Sequence, residues 1–68
     1  MIQAIYKGIE IEMEMHQQAQ GQWRCDYTLI KHPQRSMRIE HVATAFPTFD
    51  LARDYAFEKA RTAIDRVH

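Results

Sequence analysis

The chain has 68 residues, nine of them basic and nine acidic, for a formal net charge of zero. That length is one domain with no room for a second, and the charge balance argues against a phosphate-backbone partner, which a strongly basic chain would favour. A single cysteine, Cys25, excludes an internal disulfide and fits a reducing compartment.

A domain of this size buries only roughly 60% of the surface that its unfolded chain exposes. Disulfides, metals or oligomerisation commonly make up the deficit. With no disulfide and no clear metal site, self-association is the expected source of extra stability, and a net charge near zero removes one barrier to it. The opening Met1-Ile2-Gln3-Ala4 has no basic stretch and no long apolar run. The expectation is therefore no signal peptide, no membrane span and a cytoplasmic location.

Ile2 to Tyr6 is apolar-rich and reads as a short strand or as the start of a longer one. Lys7-Gly8 then offers a turn or bulge, because glycine tolerates positive φ. From Ile9 to Met15 apolar and polar residues alternate strictly: Ile9, Ile11, Met13 and Met15 against Glu10, Glu12 and Glu14. Period two is a strand with one dry and one wet face. The polar run Gln17 to Gln22, with Gly21 near its end, is a hairpin loop.

A second strand runs from about Trp23 to Lys31, with Trp23, Cys25, Tyr27 and Leu29 on one face and Arg24, Asp26, Thr28 and Ile30 on the other. His32 to Ser36 is the next turn, where Pro33 removes a ladder donor. A third strand from about Met37 to Ala43 places Met37, Ile39 and His41 on one face, and Arg38, Glu40 and Val42 on the other.

After Ala45-Phe46-Pro47 the period changes to 3.6 and a helix begins. Thr48 is the expected N-cap, and Asp50 in the first turn suits the helix dipole. Phe49, Ala52, Ala56, Ala60, Ala63 and Val67 share one helical face, flanked by Phe57 and Ile64 on one side and Tyr55 on the other. An alanine-lined face lets the helix approach the sheet closely, so that Trp23 and Met13 can fill the gap.

The expected fold is α+β: an antiparallel meander of three strands, four if Ile2 to Tyr6 is separate, packed on one C-terminal helix. It forms one domain over residues 1–68, with the second sheet face wet.

No constellation for catalysis stands out. His16, His32, His41, His68 and Cys25 are the candidate metal ligands, but none forms a close zinc-type pair. Cys25 and His41 can both point inward; Cys25 and Asp26 fall on opposite faces of one strand, so they cannot share a nucleophilic site. The only glycines are Gly8 and Gly21, so there is no phosphate loop. The chain is expected to be no enzyme and to hold no metal or cofactor.

Two surfaces remain. The glutamate row, about 7 Å between neighbours, is a solvated face that pairs across strands with Arg24 and Arg38, or an acidic strip for a basic partner. On the helix, Asp54, Glu58, Arg61, Asp65 and Arg66 form a mixed-charge outer face, with Glu58 and Arg61 as an i, i+3 pair. Phe57 and Ile64 either extend the core or form a small exposed patch for a partner.

The run Gly21-Gln22-Trp23-Arg24, followed by Phe46-Pro47-Thr48, Ala52 and Tyr55-Ala56, resembles the AP2-type DNA-binding domains, including phage-integrase arm domains, over roughly residues 21–60. The resemblance implies three strands and a helix, with DNA read by basic and aromatic side chains on the exposed sheet face. Its candidates here are Arg24, Lys31, Arg35 and Arg38. That face is expected to carry Glu10, Glu12, Glu14, Asp26 and Glu40 as well, and carboxylates facing phosphates cost binding. The whole chain also resembles small bacterial β-β-β-α proteins, a likeness that carries no activity across. The expected function is a non-catalytic binding or adaptor module. Its expected partner is a second copy or another protein, met at a sheet edge or at the Phe57 and Ile64 flank. Nucleic-acid binding of the AP2 kind is the alternative.

Overall fold

The computed structural model describes residues 2–31 and 36–67 of the chain. Four strands, β1 (Ile2–Tyr6), β2 (Ile9–Gln17), β3 (Trp23–Lys31) and β4 (Ser36–Glu40), precede one helix, α1 (Phe49–Val67). The strands form one antiparallel sheet in the order β1-β2-β3-β4. The fold is therefore α+β as expected, and Ile2 to Tyr6 is a strand of its own.

Each hairpin follows from local chemistry. Lys7 and Gly8 join β1 to β2 with φ of 51° and 78°, the double positive φ of a two-residue turn whose twist matches the flanking strands. β2 runs on through Gln17, and a short 3₁₀ turn at Ala19–Gly21 makes the next connection. The turn expected at His32 to Ser36 lies almost wholly outside the described residues.

Register sets the faces. Ile2, Ala4 and Tyr6 lie opposite Met13, Ile11 and Ile9, which in turn lie opposite Tyr27, Leu29 and Lys31. This is the face that meets α1. The core there comprises Ile9, Ile11, Met13, Cys25 and Tyr27 from the sheet, with Ala52, Ala56, Ala60 and Ile64 from the helix. Three alanines spaced four residues apart let backbone approach backbone, and Ile64 fills the space where the stripe ends. Ala63 is half-buried beside this stripe rather than within it, and the side chain of Val67 lies outside the described residues.

Thr48 caps α1 as expected: its Oγ1 accepts the Leu51 backbone N–H at 3.1 Å. Trp23 meets Phe49 edge-to-face at 5.3 Å, and Phe46 packs on Tyr55 at 4.9 Å. At the far end of the helix, Asp65 accepts from Tyr6 Oη at 3.1 Å and pairs with Lys7 Nζ at 2.6 Å. Aromatic packing thus fastens the helix start to β3, and a carboxylate fastens its last turns to the β1–β2 hairpin.

Between β4 and α1 the chain stays beside β3. Trp23 and Phe46 exchange both backbone hydrogen bonds at 2.7 Å. Between that bridge and the Tyr27–Glu40 pair, three residues of β3 face five of the returning strand, His41 to Ala45. The third strand expected through Ala43 therefore ends at Glu40, in a bulge.

Candidate interaction surface

The face of the sheet turned away from α1 is built from the complementary register positions: Gln3 and Ile5, Glu10 to His16 at alternate positions, Arg24 to Ile30 likewise, and Met37 and Ile39. Tyr27 lies opposite Glu40 and Leu29 opposite Arg38, whereas Thr28 lies opposite Ile39 and Ile30 opposite Met37. Hence Arg38 and Glu40 belong to the helix side, and Met37 and Ile39 to the open side. This corrects the expectation that put Arg38 and Glu40 in the wet row with the glutamates. Arg38 pairs with its neighbour Glu40 at 2.6 Å rather than with a glutamate of β2.

The open face is consequently divided. One end is apolar: Ile5 is 76% exposed, Met37 62% and Ile39 59%, around Ile30, which is buried. In register Glu10 stands between Ile5 and Ile30, and Thr28 between Ile39 and Glu12. The other end is charged and centres on Asp26.

Asp26 is the one buried charged residue among the described residues. Its Oδ1 accepts the Val42 backbone N–H at 3.0 Å and pairs with the Arg24 guanidinium. Its Oδ2 lies 3.3 Å from His16 Nε2 and 3.2 Å from His41 Nδ1. Burial pushes the Asp26 carboxyl up. The His41 hydrogen bond, the Val42 amide and the nearby positive charge of Arg24 outweigh it and hold the carboxyl below its ordinary value. The cluster joins β2, β3 and the segment after β4, and closes the bulge there. Among the described residues, no group of three or more His, Cys, Asp or Glu side chains is arranged to hold a metal ion.

The sequence-derived candidates scatter. Ile64 is 1% exposed and belongs to the core, so it cannot offer a surface. Phe57 is half-buried against that core, with the Arg61 guanidinium 5.2 Å above its ring. Arg24 lies on the open face bound to Asp26, Arg38 lies on the other face, and Lys31 sits opposite Ile9 at the end of β3. Arg35, His32 and His68 lie outside the described residues. Cys25 and His41 do not both point inward: the Cys25 thiol is buried, and its pKa is pushed up to about 11 chiefly by burial, while His41 is largely exposed and held by Asp26. The apolar end of the open face was not among the expected sites, because alternation of Met37 and Ile39 reads as a core-facing pattern.

On the helix side, an open cleft of about 340 Å³ separates β4 and the bulge from the C-terminal half of α1. Arg38, Lys59 and Arg66 line it, with Thr44, Val42 and Ala63.

No family model matches the chain, and no curated protein or solved structure matches it either. No helix among the described residues is long and apolar enough to cross a membrane.

Proposed function

We propose that this chain is a small, non-catalytic interaction module that pairs with a second copy of itself through the open face of its sheet, around Met37 and Ile39. The observation that carries this reading is the exposure of Met37 and Ile39, side by side on a face that no element among the described residues covers. Single exposed aliphatics are ordinary; adjoining ones around an apolar neighbour, Ile30, mark a contact surface.

Size and charge favour a second copy over a different partner. The molecule extends 40 × 18 × 16 Å, so its broad face offers on the order of 700 Å², close to the ~800 Å² per partner of a stable interface. A two-fold contact sets the same patch against itself, apolar end on apolar end, and a net charge of zero opposes it little. Two sheets packed face to face are a common architecture. A reduced lone cysteine supports a cytoplasmic setting. The AP2-type alternative draws less support, since Arg24 and Arg38 face opposite ways and the open face keeps Glu10, Glu12 and Glu14.

The test is solution mass over a concentration series for the parent chain and for Ile39→Glu. A concentration-dependent dimer that the substitution abolishes, with folding intact, supports the reading; a dimer indifferent to it refutes this surface.

A further inference from the structure

We infer that the cleft between β4 and the C-terminal half of α1 is a binding site for a small organic oxyanion, a carboxylate or phosphate monoester with an apolar body. The inference is independent of the open face, since the cleft lies on the helix side of the sheet. The cations of the helix are unequally paired. Arg53 is paired with Asp50 and Asp54, and Arg61 with Glu58. Lys59 and Arg66 have no carboxylate partner among the described residues, and both line the cleft. Lys59 Nζ is held 5.7 Å from the centroid of the Tyr55 ring.

The opposite wall adds Arg38. Among the described residues, the one carboxylate lining the cleft, Glu40, already receives Arg38 Nε at 2.6 Å, so its repulsion of an anion is largely cancelled. The helix end carries partial negative charge, which Arg66 in the last turn offsets. Of the two threonines present, Thr62 donates its hydroxyl to the Glu58 carbonyl at 3.0 Å. Thr44 is then the threonine whose hydroxyl is left to donate, beside the phenol groups of Tyr27 and Tyr55. Val42 and Ala63 supply apolar lining, and a volume of about 340 Å³ sits at the small end of metabolite sites, roughly 300–1,000 Å³. Guanidinium groups suit oxyanions because their donors match the two oxygens of one face.

The experiment titrates the full chain with phenyl phosphate and, separately, with benzoate, following amide shifts by NMR. Saturable shifts confined to residues of the cleft are expected with one or both probes, and which probe binds decides between phosphate and carboxylate. The double variant Lys59→Ala with Arg66→Ala is expected to weaken binding about tenfold or more, since two charge-assisted contacts are lost. Lys31→Ala, outside the cleft, is expected to leave it unchanged. Both positions are surface groups, so folding is checked by circular dichroism. No saturable shift with either probe, or equal binding by the double variant, overturns the inference. So does tighter, steeply salt-dependent binding of a single-stranded oligonucleotide through the same two residues, which would make the cleft a nucleic-acid contact.

Discussion

Asp26 Oδ1 accepts the backbone N–H of Val42 at 3.0 Å, supplying by side chain the pairing that the bulge denies to the backbone. Two extra residues in the returning strand break the ladder between the Tyr27–Glu40 pair and the Trp23–Phe46 bridge. A carboxylate at this point also gathers Arg24, His16 and His41. Asp26→Ala removes all of these at once and leaves the Val42 amide without its partner. It is expected to lower stability by about 2–4 kcal/mol, read as a shift in the urea midpoint at unchanged slope. Asp26→Asn keeps a carbonyl for Val42 and should fall between.

The same carboxylate makes stability depend on acid. A carboxyl held below its unfolded pKa stabilises the fold above that unfolded value, about 3.9 for aspartate, and loses the contribution as pH falls through the lower folded value. Urea midpoints measured from pH 6 downward should therefore fall more steeply below about pH 4 in the parent chain than in Asp26→Asn. Parallel profiles would remove Asp26 as the source.

Much of this architecture is legible in the residues. Ile9 to Met15 announces its strand by strict alternation, and Thr48 announces the helix start by its capping chemistry. Two things are not legible. Met37 and Ile39 alternate as core residues do, yet register turns them outward; a slip of one residue exchanges the faces, and the turn that sets it cannot be derived from His32 to Ser36 alone. Asp26 reads as one more polar position on a wet strand face. Its partners come from β2 and from the segment after β4, and only tertiary structure brings them together.

Ile64 separates two readings of the helix. As a fully buried core residue it should cost about 2–5 kcal/mol on substitution to alanine, seen in thermal or chemical unfolding. As a partner residue it would cost little stability and much association. Phe57→Ala, at the rim of the same core, should cost less than Ile64→Ala. Equal tolerance at both positions would place the core elsewhere.

Cys25 should be a quiet thiol. With its pKa pushed up to about 11, its thiolate at neutral pH is scarcer than that of an ordinary cysteine by on the order of a hundredfold, and burial blocks the reagent as well. Labelling by a disulfide-exchange reagent should be slow in the native chain and fast in urea. Fast native labelling would show that the strand around Cys25 opens readily.

The proposed self-pairing sets Ile39 of one copy against the same patch of another. The most direct measurement is sedimentation equilibrium of the parent chain and of Ile39→Glu, at low and at high salt. Because Ile39 is 59% exposed, its substitution should change monomer stability by no more than about 0.5 kcal/mol. The parent should form a dimer that high salt does not weaken, as apolar burial requires, and Ile39→Glu should be monomeric throughout. A parent chain that stays monomeric at every concentration, or a dimer that Ile39→Glu leaves intact, would contradict it.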